Sequence, residues 1–157
     1  MENARISARE RSFFKEAVAL AEQAGASGNL PIGAVIVLND AIVSRGMNAI
    51  WQPARDLSRH AEMEALRNLP SQLRSRFREM TLFTTLEPCL MCAGAILLHQ
   101  LGRLVYGSSD PYGGVSACND SLPPYFKDQL PHMQWTGPAL PAVCDPLYQQ
   151  IMKLEKI

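Results

Sequence analysis

Residues 80–92 constrain this chain more than any other stretch. Residues 80–85 read as a buried strand that feeds almost directly into Glu87-Pro88-Cys89-Leu90-Met91-Cys92, the start of a helix. Proline at the first helical position gives up no hydrogen bond and has its φ preset, so a helix is expected from Pro88 to a stop at Gly102. A strand that passes straight into a helix suits a β-α-β crossover. It also puts Cys89 and Cys92, three residues apart on one helical face, at the positive end of the helix dipole. Thiols placed there have lowered pKa values, so metal-binding thiolate forms at neutral pH.

The rest of the chain builds around that junction. Ser7-Ala8-Arg9-Glu10 is a capping box, and Phe13, Phe14, Ala17, Val18, Leu20, Ala21 and Ala24 follow at helical spacing until Gly25. Residues 31–38 form a near-continuous apolar run, expected to be a strand buried on both faces. Asn39-Asp40 turns the chain into a second strand, 41–45, making a hairpin. After Gly46-Met47-Asn48 a loop leads to a helix over 58–69, ended by Pro70, and 103–107 reads as a fourth strand. Residues 108–146 hold seven prolines and one modest strand candidate, 132–136, before a closing helix over 147–154. The order α-β-β-α-β-α-β-(β)-α predicts a mixed sheet with helices on both faces, and sites in such sheets gather where strand ends meet helix starts. With no repeat or linker, residues 1–157 are expected to form a single domain.

Composition narrows the classes of partner. Apolar residues make up 47% and charged residues 19%, which is globular rather than disordered. Lysine plus arginine equals aspartate plus glutamate at 15 each, so there is no global pull toward nucleic acid or acidic lipid. No apolar leader opens the sequence, and the longest apolar run, 89–98, is too short to span a bilayer. A cytoplasmic enzyme without a membrane partner is the expectation, with Cys118 and Cys144 as free thiols.

His60-Ala61-Glu62 stands at another helix start. His60, Cys89 and Cys92 together would hold one zinc ion through three protein ligands, leaving the fourth position to water, which is the catalytic rather than the structural pattern. Water so bound has its pKa lowered to about 7. Glu62, two residues after His60, does not share that residue's face on a regular helix; it is placed to meet the water rather than to act as a fourth ligand. A C-x-x-C pair alone is equally a structural half-site or a redox pair. Pro88 in front, the apolar Leu90-Met91 between and the upstream His60-x-Glu62 favour catalysis.

The pattern H-x-E…P-C-x-x-C is the known signature of zinc deaminases. Over residues 13–114 the chain resembles the cytidine deaminase-like superfamily, and within it the branch of bacterial tRNA adenosine deaminases and their guanine- and cytosine-deaminating relatives. The carrying residues are Pro31-Ile32-Gly33-Ala34-Val35, Gly46-Met47-Asn48, His60-Ala61-Glu62 and the run from Thr84 through Glu87-Pro88-Cys89-Leu90-Met91-Cys92 to Ile96, with Tyr106-Gly107 and Asp110 also similar. The resemblance implies an α/β, three-layer α-β-α cytidine deaminase-like fold with a mixed, about five-stranded sheet. It implies Zn2+ as cofactor, Glu62 as proton carrier, a hydrogen bond from Asn48 to substrate, and a homodimer. Backbone around Leu86, Glu87 and Cys89 would orient the amine, and Asp110 would add a contact.

Plainer readings stand beside these. Asn48 and Asp110 both suit turns, Glu87 is a carboxylate favoured at a helix start, and His99 is a packed or capping histidine. His132 has no assigned role, and the arginines from Arg74 to Arg78 read first as a solvated face. Zero net charge and the absence of a long basic tail point to a small-molecule substrate, a free nucleobase or nucleoside. The wobble adenosine of tRNA is the alternative, and a non-catalytic zinc-stabilised binding module a further one.

Overall fold

A computed structural model describes residues 5–156. The capping box forms: the Ser7 hydroxyl accepts the Glu10 N–H at 3.1 Å and the Glu10 carboxylate accepts the Ser7 N–H at 2.7 Å. The helix it opens, α1 (Ala8–Ala26), buries Phe13, Phe14, Ala17 and Ala21. Strand β1 (Gly33–Leu38) is buried throughout and turns into β2 (Ala41–Met47). Asn39 and Asp40 both take positive φ, 51° and 58°, as a tight hairpin whose twist matches its strands requires.

Helix α2 (Ala61–Asn68) and a 3-10 segment (Ser71–Glu79) lead to β3 (Thr81–Leu86), α3 (Leu90–Leu98) and β4 (Arg103–Ser108). A second 3-10 segment (Val115–Ser121), α4 (Pro124–Gln129), β5 (Gln134–Thr136) and α5 (Pro141–Glu155) complete the order. The sheet runs β2-β1-β3-β4-β5. Its β1 pairs are antiparallel, while β3/β4 and β4/β5 are parallel, giving the expected mixed five-stranded sheet.

Alternation along the strands sorts the side chains into layers. Val35, Val37, Phe83 and Val105 pack on Phe13, Phe14 and Ala17 of α1, with both α1 rings within 5.5 Å of the Phe83 ring. On the other face Ala34, Ile36, Leu82 and Leu104 meet Ala61, Ala65 and Leu66 of α2 and Ile96 and Leu97 of α3. Two glycines let the helices lie directly on the hairpin. A Cβ on Gly33 would stand 2.0 Å from the Ala17 carbonyl oxygen, and one on Gly46 2.1 Å from that of Ala61.

Several boundaries differ from the sequence reading. Pro88 is not the first helical residue; Cys89 is the N-cap of α3, extended at φ −70° and ψ 173°. The Val115 N–H bonds to the Pro88 carbonyl at 3.0 Å, and Cys89 bridges to Gly114, so pairing with a distant segment holds this stretch extended. Helix α3 ends at Leu98, not Gly102: Gln100 adopts the left-handed conformation at φ 56°. Gly102 serves close packing instead, since a Cβ there would lie 2.0 Å from the Arg78 carbonyl oxygen. Helix α5 begins at Pro141 and continues through Pro146, because Cys144, Leu147 and Ile151 are buried on either side of it. The segments 71–79 and 124–129 are helical beyond the sequence reading; each holds only two large apolar residues, Leu73 and Phe77 in one and Tyr125 and Phe126 in the other, too few to mark a helical face. Among the described residues, no helix is long and apolar enough to cross a membrane.

Gly46→Ala drives a methyl into the backbone of α2, and such overpacking costs about 1–3 kcal/mol or more. Thermal unfolding followed by circular dichroism should show Tm lowered by about 5 °C, with zinc content reduced because α2 carries His60.

Candidate metal centre

The N-termini of α2 and α3 converge at the end of the sheet where β3 and β4 finish. His60 is the N-cap of α2, extended at φ −72° and ψ 155°, and Cys89 is the N-cap of α3. N-cap side chains ordinarily satisfy the first free N–H groups of their helix. Neither of these does so. The imidazole and the thiol turn toward each other instead, joined by Cys92 from the first turn of α3.

His60 Nδ1 lies 3.6 Å from Cys89 Sγ and 3.5 Å from Cys92 Sγ, and one ligand atom from each of the three residues falls within 4.8 Å of the others. Zinc bonds of about 2.05 Å to nitrogen and 2.3 Å to sulfur at a tetrahedral angle require an N···S separation of about 3.6 Å. The donor set therefore fits zinc both in chemistry and in spacing, and these three residues are positioned to hold it. Electrostatics point the same way. The hydrogen bond from Cys92, with help from His60, brings Cys89 down to about 4. Cys92 is pushed up by that same bond and by burial, so it holds the shared proton that a metal would displace. His60 is raised by its bond to Cys89.

Glu62, in the first turn of α2, is 4% exposed. Its Oε1 accepts the Thr84 hydroxyl at 3.1 Å and its Oε2 accepts the Cys92 thiol at 3.5 Å. Burial is the main cause of its raised pKa. Because His60 precedes the helix rather than belonging to it, His60 and Glu62 line one cavity despite their two-residue spacing. That cavity, about 360 Å³, has apolar walls from Leu30, Ile32, Ile50 and Leu86.

The other candidate residues gather nearby. Asn48 is fully buried; its Oδ1 accepts the N–H groups of Leu30 and Ile50 at 3.4 and 3.3 Å, while its Nδ2 has no hydrogen-bond partner among the described residues. Leu86, Glu87 and Asp110 line the cavity. Both oxygens of Glu87 are engaged with the loop after β4, accepting the Asp110 N–H at 2.9 Å and the Ser116 N–H at 3.0 Å. Asp110 Oδ1 accepts the N–H groups of Tyr112 and Gly113, each at 3.0 Å, and the Tyr148 hydroxyl at 3.1 Å.

Sequence reasoning passed over Thr84, which stood inside the recognised run without a role, and Ile151 and Glu155 of α5, which also line the cavity. No local signal marks those last two, because only the packing of α5 brings them there. Cys118 stays apart, donating to the Val115 carbonyl at 3.2 Å. Cys144 is buried, and burial pushes its thiol up to about 12. His99 caps Ala95 at 2.7 Å, as expected. Of the arginine run, Arg74 donates to the Arg67 and Leu69 carbonyls at the end of α2, and Arg76 and Arg78 lie just before β3, at the far end of that strand from Cys89. There Arg76 pairs with Glu79, and Arg78 with Gln100.

A family model of the cytidine and deoxycytidylate deaminase zinc-binding region matches residues 7–108. The tRNA-specific adenosine deaminase of Haemophilus influenzae is 46% identical over 112 residues, covering 66% of this chain and 63% of that protein. The enzyme of the same name from Bacillus subtilis is 41% identical over 105 residues, covering 66% and 65%. The match thus spans a little under two thirds of each relative. A solved structure from work on A-to-I editing by tRNA:A34 deaminases at the wobble position of transfer RNA superposes with TM-score 0.68 at 36% identity, covering 74% of this chain and 92% of that one.

These relatives overturn the expectation of a free nucleobase or nucleoside as substrate. It rested on zero net charge, and net charge is a sum over the whole surface, whereas contact with phosphates depends on the few charges beside the site.

Replacing Cys92 by Ala or His60 by Ala should take zinc, measured by plasma mass spectrometry, from about one per chain to near zero. Cys118→Ala should leave it unchanged.

Proposed function

The chain belongs to the cytidine and deoxycytidylate deaminase zinc-binding family, and from that premise we propose that it is a zinc-dependent hydrolytic deaminase acting on adenosine in tRNA, yielding inosine and ammonia. One observation carries the chemistry: a buried carboxylate, Glu62, shares a cavity with His60 and Cys89, and its Oε2 reaches the third member of the trio, Cys92. The names of the relatives, 41% and 46% identical, support the substrate.

Bound by those three residues, zinc supplies a Lewis acid that makes a water nucleophilic at neutral pH. The protein's own part is proton handling and orientation. Thr84 holds Glu62 Oε1, which leaves Oε2 to take one proton from the attacking water and pass it to the ring nitrogen, then to take the second proton of that same oxygen and pass it to the departing amine, which leaves as ammonia. Burial raises the Glu62 pKa and suits it to hold each proton between uptake and delivery. Asn48 offers a buried amide donor, Nδ2, with no hydrogen-bond partner among the described residues, which supports a hydrogen bond to the base. Leu86 and Glu87 line the same cavity, and a backbone carbonyl there is suited to orient the amine. The Glu87 and Asp110 carboxylates act one step back, as fasteners of the loop beside the cavity. For phosphates, the exposed Arg55 lies two residues from Leu57 of the cavity wall, while Arg59 is paired with Glu64 at 3.0 Å.

Glu62→Gln should keep its zinc and its Tm while losing about 100- to 10,000-fold in ammonia release. Wild-type-like turnover by that variant would remove Glu62 from its role. An inosine assay on a tRNA anticodon stem-loop, run beside free adenine, guanine, cytosine and their nucleosides, tests the substrate. Turnover of the small molecules with none on RNA would overturn the tRNA reading.

We further propose that two copies pair through α3, where Leu90 and Leu98 are 58% and 59% exposed and Met91 is 39% exposed. Sedimentation should show a dimer that Leu98→Glu converts to monomer; a monomeric wild type would refute the pairing.

A further inference from the structure

Tyr112 is 70% exposed, yet it borders the cavity that His60, Glu62 and Cys89 line. Single exposed aromatics are ordinary on protein surfaces. Two features set this one apart.

The first is its backbone, which is held fast. The Tyr112 N–H donates to Asp110 Oδ1 at 3.0 Å, and the same oxygen accepts the Gly113 N–H and the Tyr148 hydroxyl. Burial and the Asp110 carboxylate push Tyr148 up to about 12, so it remains a donor. Glu87 clasps the loop at both ends through the N–H groups of Asp110 and Ser116. Because Glu87 and Pro88 directly precede the metal ligand Cys89, the loop is fixed relative to the metal centre.

The second feature is its setting. Among the described residues, Tyr112 and Leu57, the latter 55% exposed, are the only large exposed hydrophobic side chains bordering the cavity. Glu155 also lines it and brings a negative charge that repels phosphate. On the Glu155 side of the rim a ligand is therefore better gripped by its rings than by its backbone charge. Single-stranded RNA is bound in that way: unstacked bases lie on aromatic side chains, with little dependence on which base is present. Tyr112 also lies beyond residue 108, where the family match ends.

We propose that Tyr112 is a stacking platform for a nucleobase adjacent to the one that enters the cavity. It is a positioning residue that favours a strand over a lone nucleoside. The inference rests on the tRNA reading above. The hydrogen bonds of Glu87 and Asp110 fix the Tyr112 backbone beside the cavity, so that stacking one base on the ring presents its neighbour to Glu62.

The test compares Tyr112→Ala and Tyr112→Phe in the zinc-loaded protein on a tRNA anticodon stem-loop. The alanine variant should raise KM tenfold or more, with a much smaller change in kcat, and the phenylalanine variant should stay within about twofold of wild type. A 2-aminopurine placed beside the target adenosine, with Glu62→Gln to prevent turnover, should be quenched on binding. The quenching should be lost with Tyr112→Ala and kept with Tyr112→Phe. Unchanged Tm and zinc content exclude misfolding.

RNA turnover with an unaltered KM in Tyr112→Ala would overturn this inference alone, as would equal losses in both variants, which would assign the effect to the hydroxyl. A changed sedimentation coefficient with quenching intact would place Tyr112 against a second copy and overturn it too. A wild type inactive on every RNA would overturn the tRNA reading, and this inference with it.

Discussion

Two helix N-termini aimed at one point are what the rest of this structure serves. Positive ends of helix dipoles favour negative charge, and here that charge is thiolate. A third ligand comes from an imidazole at the neighbouring helix start. For the spacing to hold within a few tenths of an ångström, α2 and α3 must lie side by side on the same sheet face at fixed depth. Ala61 and Ala65 permit this by their size, and Gly46 by lacking a side chain where α2 touches β2. Small residues at these contacts leave almost no freedom for the helices to rise from the sheet.

The same metal site depends on a segment remote in sequence. Cys89 is extended because it bridges Gly114, and the loop carrying Gly114 is drawn in by Glu87. A Cβ on Gly114 would lie 2.5 Å from the Glu87 carboxyl carbon, so the loop can approach this closely only as glycine. One buried carboxylate thus orders a metal ligand on one side and the cavity rim on the other. The cavity wall is completed by Ile151 and Glu155 from a helix that follows β5. The chemistry therefore lies in the first two thirds of the chain and the access to it largely in the last.

Chain charge and local charge separate here with functional consequences. Equal numbers of acidic and basic groups hide an uneven arrangement. Arginines at 76 and 78 are engaged near the start of β3 and Arg59 with Glu64, while the exposed Arg55 lies two residues from Leu57 of the cavity wall. Sums over the surface carry no information of that kind.

Local physics was enough for much of the fold and for the donor set. The capping box of Ser7 and Glu10, the hairpin turn at Asn39-Asp40, the apolar run of β1 and the strand-to-helix passage before Cys89 each depend on residues a few positions apart, and all were legible. So was the metal trio, since His60-x-Glu62 and Pro88-Cys89-x-x-Cys92 constitute a signature of residue type and spacing. Tertiary structure alone decided where α3 starts, because the extended state of Cys89 comes from Gly114, and where α5 starts, because burial of Cys144 and Ile151 carries the helix across Pro146. It alone turned Glu87 from a helix-start carboxylate into the clasp of a loop, left Asn48 Nδ2 without a hydrogen-bond partner among the described residues and stood Tyr112 at the rim. Those outcomes arise from contacts between residues distant in sequence, and such contacts leave no periodicity in the chain to be read.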